Sequence, residues 1–497
     1  MVKIENNFLL WYQDCYRPAT NKSLYSSIKK IMALICLILF TAILVMLIIM
    51  TYRMHAILHT QPGGARDESY IEKTGLIQGW IYASIILTII AIIASIYFMV
   101  KGTPWEGHLM EWLNIVVRVM HITFGIAWIG ASFYFVFLEN ALNRKENIRD
   151  EIAGDLWAVH GGGFYYLEKY KVAPKQIPKN LHWFKYEAYF TWLSGFALLF
   201  IIYYFNASAT MIDANLLKLT PPAAISISIG SFIVAWLLYD WLCKSPLVKK
   251  GWLFTLIGIL LLTGFAYFYS HVFNGRAAFI HFGAMIGSIM VANVFFVIIP
   301  SQKAMVNAAK KGIPPDPAKG KKALFRSLHN NYFTLPVLFV MVSNHFPSTF
   351  GNKYQWIVLA AITLGSAGIK HWLNLRERGQ LSIWIMPASV ILLLAVAYIT
   401  APQASNIKCK EVSFAEVNSI ITERCISCHS SRPTDDVYTA PPNGVIYDTP
   451  ADIVKKIDQI MQRVVITKTM PQNNKTNMTP EERDIIRCWI EQGASVK

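Results

Sequence analysis

The sequence predicts an all-α fold: a polytopic helical membrane bundle of about ten spans, followed by a soluble C-terminal domain. Three observations predict it. Ten apolar runs fill the first 400 residues, only 15% of the chain is charged, against roughly 25% in soluble proteins, and mean hydropathy is +0.37. The loops between successive runs carry 3, 1, 8, 1, 3, 1, 7, 1 and 3 Lys+Arg, alternating high and low without a break. Residues 401–497 are polar and hold one Cys-x-x-Cys-His, which makes that domain a c-type cytochrome.

The apolar runs lie near 31–52, 75–100, 112–138, 189–204, 223–241, 252–269, 277–299, 332–346, 354–369 and 383–399. A span takes about 20 residues, so the fourth, eighth and ninth are short. The first is uncharged, is longer than the about 7–15 residues of a signal-peptide core and has no A-x-A-like site after it, so it reads as a retained anchor. Charge is unevenly placed: residues 401–497 carry 12 Lys+Arg and 12 Asp+Glu, whereas residues 1–400 carry 34 and 18, so the whole +16 belongs to the membrane part. Such a balance marks cytoplasmic loops in a lipid bilayer rather than nucleic-acid binding. The basic loops 139–188 and 300–331 then face the cytoplasm and the C-terminal domain faces outward, into the periplasm of a Gram-negative bacterium. The same parity puts the N-terminus outside, against the five Lys+Arg of residues 1–30.

In the C-terminal domain, "SFAEVNSIITERC" places Phe414, Val417 and Ile421 on one helical face with Ile420 beside it. "MTPEERDIIRCWIEQGA" reads as a second helix, capped by Thr479, with Pro480 in its first turn and Glu482 closing the capping box. Between them, Cys425 and Cys428 have the spacing to bond the two vinyl groups of one porphyrin, and His429 follows to ligate iron. A zinc site would want a second ligand pair, and a redox dithiol would want a βαβ context; neither is present. The sixth ligand is Met470 or Met478; Met470, followed by a proline, is preferred, and a thioether would raise the potential. Cys409 and Cys488 could pair outside the cell, but a free, buried Cys488 is the expectation.

Ionisable groups inside membranes are costly and point to function. In "RVMHITFGIAWIGASFYF", His121, Gly125, Trp128 and Ser132 share a face; Gly125 leaves room for a flat group, and Arg118 could pair with a propionate or a substrate anion. A lone histidine would simply be satisfied by a neighbouring helix. The predicted topology brings His271, His281 and His345 to the same outer level, which suits a b-type haem held by two of the four, with a second such haem open. "WAVHGGGFYY" sets three glycines beside His160, either an anion- or carbonyl-binding turn or a hinge. In "LHNNYFTLPVLFVMVSNHFP", Asn330, Asn331 and Asn344 sit at the ends of the eighth run, as binders of a polar heterocycle or as helix caps.

From "GHLMEWLNIVVRVMHITFGIAWIGASFYFVFLEN" through "GDLWAVHGGGFYYLEKYKVAPKQIPKNLHWFKYEAYFTWLSGFALL" and "LHNNYFTLPVLFVMVSNH" to "RCISCHSSRPT", the chain resembles the bacterial membrane-bound, cytochrome c-linked urate oxidases (urate hydroxylases). The resemblance covers about residues 107–497. It implies an eight-span domain over 108–400 joined to a cytochrome c domain over 401–497, with residues 1–107 as an added extension of two spans. It implies oxidation of urate to 5-hydroxyisourate, one covalent haem c on Cys425, Cys428 and His429, and a soluble or membrane cytochrome or a terminal oxidase as electron acceptor. It assigns no urate-contacting residue; Arg118, His160, Asn330 and Asn331 are candidates from the residues alone. Urate gives up two electrons and haem c takes one at a time, a separate reason to expect haem b. Rival readings are a membrane oxidoreductase with a quinol or porphyrinogen donor, a purine permease with a tethered cytochrome c, and a pure electron-transfer module.

Overall fold

The computed structural model describes residues 31, 33–52, 68–101, 103–145, 148–174, 176–178, 181–401, 408–435, 437–438 and 440–496. The expectations for the N-terminal 30 residues and for most of the linker before Cys409 lie outside the described residues. The chain divides into two compact units, Met1–Trp112 and Leu113–Lys497.

The first unit holds helix α1 (Ala33–Tyr52), helix α2 (Glu68–Val100) and the start of α3 (Pro104–Ala141). The spanning part of α1 has a mean hydropathy of 3.2. Hydroxyls of both helices bond within their own helix: Thr41 of α1 donates to the Leu37 carbonyl, and in α2 Thr88 donates to Ser84 and Ser95 to Ala91. That satisfaction is what a segment without water around it requires.

The second unit contains the rest of α3, then α4 (Tyr186–Tyr204), α5 (Pro221–Lys244), α6 (Gly251–Val272), α7 (Gly275–Lys310), α8 (Pro317–Ser343), α9 (Gln355–Glu377) and α10 (Ile385–Ile399). Helix α7 is the axis of the bundle: Phe279, Phe282, Met285 and Ile286 are fully buried, against Tyr269 and Phe273 around the end of α6 and Leu359 of α9. Gly283 permits the close approach of α8, since a Cβ there would stand 2.5 Å from Val340 Cγ1.

Among the described residues, eight helices are long and apolar enough to cross a membrane. The other two expected runs are α8, whose 27 residues include Arg326, His329, Asn330 and Asn331, and the 15-residue α10.

The all-α expectation needs one correction. Ile152–His160 (β1) and Gly163–Tyr170 (β2) form an antiparallel hairpin, with Trp157 opposite Tyr166 and His160 opposite Gly163. Gly161 and Gly162 make its two-residue turn at φ +59° and +80°, which calls for glycine. Aromatic and β-branched residues flank the turn glycines and pair across the strands; the Trp157 and Tyr166 rings lie 4.8 Å apart.

The C-terminal domain is built on α11 (Phe414–Arg424) and α12 (Pro480–Glu491). Ser413 caps α11, and Thr479 with Glu482 forms the full capping box of α12. Val417 and Ile421 are buried against Ile486 and Trp489. Cys409 and Cys488 are disulfide-bonded, which corrects the free Cys488. Residues 408–412 are laid along α12 by Gln492, which accepts from the Val412 N–H and donates to the Lys410 carbonyl, and this carries Cys409 to Cys488.

Candidate functional site

The Cys-x-x-Cys-His segment leaves the end of α11 as a tight turn: the Cys425 N–H donates to Ile421, and the N–H groups of Cys428 and His429 both donate to the Cys425 carbonyl. His429 Nδ1 lies 3.0 Å from the Val445 carbonyl, so Nδ1 carries the proton and Nε2 presents its lone pair. This is the tautomer a metal-binding imidazole needs, fixed by the Val445 carbonyl. Burial holds the imidazole below its ordinary pKa, partly offset by the Val445 bond. Burial, with Cys428 nearby, pushes the Cys425 thiol up to about 12, and burial also raises Cys428. Both thiols thus stand beside the histidine donor at the end of α11.

The two methionines differ in setting. Met478 is only 3% exposed, inside the domain core, whereas Met470 lies at the core's edge. The Met470 N–H donates to the Arg463 carbonyl at 3.0 Å, and its carbonyl accepts from Arg483 Nη1 at 2.7 Å. Arg483, itself 6% exposed, also binds the Val464 carbonyl and Asn474 Oδ1, so one guanidinium fixes the whole methionine loop. These residues fit a covalent haem c with one imidazole and one thioether ligand.

His121 Nδ1 lies 3.0 Å from the Thr191 carbonyl and 3.3 Å from Ser194 Oγ, both on α4. The room beside its ring comes from Gly195, where a Cβ would stand 2.8 Å from His121 Cε1. Gly125, expected to provide that room, instead faces Thr191 at the crossing of α3 and α4. His281 is fully buried, with Nδ1 committed to the Ala277 carbonyl at 2.8 Å, and the rings of Phe273 and Tyr203 surround it at 4.9 and 5.5 Å. Its Nε2 is, among the described residues, the one histidine nitrogen buried without a partner. An orphaned lone pair in an apolar nest is unfavourable unless something ligates it, and so His281 fits an iron. His271 stacks on Tyr267 and bonds its carbonyl, and His345 is exposed. Among the described residues, no hydrogen bond or ring contact joins any two of His121, His271, His281 and His345. Arg118 bonds Asn114 on its own helix through Nε and Nη2. His160 is exposed at the end of β1.

Asn330 and Asn331 are not caps. They lie within α8, at 5% and 0% exposure, in a buried polar network that sequence reading missed. Arg326 donates to Asp240 Oδ1 at 2.6 Å and to Asn293 Oδ1 at 3.3 Å; Asn293 donates to Asn330, and Asn330 to the Met290 carbonyl. Asn374 donates to Asn331, leaving Asn331 Nδ2 and Asn374 Oδ1 buried without partners. One turn from Asn374, the buried Lys370 places its ammonium 3.9 Å from the centre of the Phe133 ring. The available signals were Asp240 and Asn293, polar residues interrupting apolar runs.

Neither a curated protein nor a solved structure matches the chain. A family model described as urate oxidase N-terminal matches residues 107–401, more than half of the chain and ending before the Cys-x-x-Cys-His motif. The helical bundle with its buried histidine and amide network is therefore a urate oxidase N-terminal region, and the chain belongs to that urate oxidase family.

Proposed function

We propose that the protein is a membrane-bound urate oxidase of the bacterial inner membrane that passes electrons to a haem c in its own periplasmic C-terminal domain. Its domains are then an extension over 1–107, a membrane urate oxidase domain over 108–400 and a cytochrome c domain over 401–497. The observation that carries the reading is the joining, in one chain, of the family region at 107–401 to a Cys-x-x-Cys-His whose histidine keeps Nε2 free.

Urate and one water become 5-hydroxyisourate with loss of two electrons and two protons. Haem, when bound, supplies one-electron acceptance. Cys425 and Cys428 would hold haem c through thioethers, and His429 and Met470 would hold its iron. His281 and His121 are the favoured holders of a haem b. Val445 fixes the His429 tautomer, and Arg483 and the Arg463 carbonyl hold the Met470 backbone in place. A soluble or membrane cytochrome or a terminal oxidase takes the electrons onward.

The test is a Cys425→Ala/Cys428→Ala double variant. Covalent haem and urate-dependent reduction of an external acceptor should both disappear, with the membrane domain still assembled. Acceptor reduction at the normal rate would rule out the C-terminal domain as the exit.

A further inference from the structure

Four successive backbone carbonyls join the methionine loop to the membrane bundle. After α4 the chain makes one further helical turn, Ala207–Thr210, and the carbonyls of Ala209, Thr210, Met211 and Ile212 find no partner within it. Such groups must be met from elsewhere. Asn274 meets two of them: its backbone N–H donates to Met211 and its Nδ2 to Thr210, both at 2.9 Å. The methionine loop meets the other two. Gln472 Nε2 and Asn473 Nδ2 donate to the Ala209 carbonyl at 2.7 and 3.0 Å, and Asn473 Nδ2 also donates to the Ile212 carbonyl at 2.7 Å.

Both amides are aimed at the bundle. Gln472 Oε1 accepts from the Tyr438 hydroxyl, which turns Nε2 toward Ala209. Asn473 lies at φ +53°, a left-handed conformation that asparagine tolerates. A second contact lies beside the first. At Gly351, in the turn between α8 and α9, a Cβ would stand 2.8 Å from Thr469 Cγ2 and 3.0 Å from the Thr467 carbonyl, so glycine permits the methionine loop to close in. The 209–212 segment is thus shared. On one side it holds the loop that carries Met470. On the other it is held by Asn274, which caps α7 two turns before His281. Helix α4, just before the segment, ends in Tyr203 and Tyr204, whose rings lie 5.5 and 6.1 Å from the His281 ring.

We propose that Gln472 and Asn473 are positioning residues that clamp the C-terminal domain, by its methionine loop, onto the end of the bundle where α4 meets α7. The domain then keeps one fixed arrangement instead of swinging on its linker, and electrons from urate enter it at this contact. Because the domain is tethered, docking is intramolecular, and three hydrogen bonds beside a close glycine contact are enough to hold it. Each electron lost by urate crosses singly, two crossings complete one oxidation, and the external cytochrome or oxidase is the species finally reduced. The clamp stands on geometry alone; that electrons cross it rests on the proposed function.

The experiment uses the full-length, haem-loaded protein with Cys36→Ser and Cys243→Ser, and with spin labels on Ser208→Cys and Glu481→Cys, two exposed positions on either side of the contact. Double electron–electron resonance should give one narrow distance distribution. Gln472→Leu/Asn473→Gly removes the donors without adding charge and keeps a residue suited to positive φ at 473. The distribution should then broaden. In the same preparations the rate of haem c reduction by urate should fall about tenfold or more, as the docked fraction falls with three lost hydrogen bonds. Midpoint potential, absorption spectrum and reduction by dithionite should be unchanged, which separates lost docking from a damaged haem site. Gln472→Leu alone carries the test should the double variant fail to retain haem. A broad distribution before the amides are changed, or a narrow one after, would overturn the clamp. An undocked variant that urate still reduces at the normal rate would overturn the contact as the point of electron entry. A protein with both amides intact whose haem c urate never reduces would instead contradict the proposed function, and the distance distributions would still decide the clamp.

Discussion

At the scale of single residues, environment separates side chains that the sequence makes equivalent. Met470 and Met478 are both spaced to ligate a haem, but Met478 is buried in the core and Met470 is held at its edge by Arg463 and Arg483. Met470→Ala should therefore change the axial-ligand spectrum and lower the potential while the domain stays folded. Met478→Ala should leave the spectrum in place and cost about 2–5 kcal/mol of stability, as removal of a buried methionine does. A potentiometric titration beside a thermal melt separates the two, and the reverse pattern would move the ligand to Met478. Arg326 poses a different question, because its guanidinium is buried against Asp240. Arg326→Met should destabilise the bundle by about 3 kcal/mol, the low end for a broken buried pair, since Lys244 still pairs with Asp240. Adding Asp240→Asn should recover much of that loss in detergent melts. A single variant as stable as wild type would show that the pair is not needed for folding.

At the scale of elements, what could be read in advance was local. The Thr479–Glu482 capping box and the Val417/Ile421 face are written within a few consecutive residues, and both form as expected. The hairpin at 152–170 was missed because its period-2 pattern is short and its glycines suit a hinge equally well. The Cys409–Cys488 bond and the space that Gly195 gives His121 depend on residues distant in sequence, which no periodicity displays. Helix α8 was started too late, at 332, because Arg326, His329, Asn330 and Asn331 interrupt its apolar run; the helix begins at Pro317, so these residues are interior. His281 was legible from its position inside a span, but its unpartnered Nε2 was not. The junction of α11 and α12 carries a pH consequence. Arg424 grips Glu482 through Nε and Nη2 and holds its carboxyl below the ordinary glutamate range. This contribution to stability is present above the ordinary glutamate pKa and is lost as the pH falls through the lowered folded value. Glu482→Gln, which keeps a side-chain acceptor for the cap, should flatten the acid limb of C-terminal-domain stability followed by circular dichroism. An unchanged limb would place the acid sensitivity elsewhere.

At the scale of the whole molecule, composition and surface agree on a membrane setting. Ile38, Leu87 and Leu394 are each more than 60% exposed, and water contact over many such residues would be prohibitive at about 25 cal/mol per Å². Trp105 and Trp252 stand exposed at helix starts, where indoles favour the membrane interface. The neutral C-terminal domain carries a disulfide, which suits an oxidising compartment outside the cytoplasm. The central claim is that urate oxidation runs into this domain's haem rather than into oxygen. Held by His429 and Met470, such a haem would favour electron transfer over oxygen binding. The most direct measurement follows urate loss and ferricytochrome c reduction together, with purified full-length protein under strict anaerobiosis. The account predicts that urate disappears without oxygen, with two electrons appearing on the acceptor per urate, 5-hydroxyisourate as product and no peroxide. Urate loss only on admission of oxygen, with one peroxide formed per urate, would contradict it.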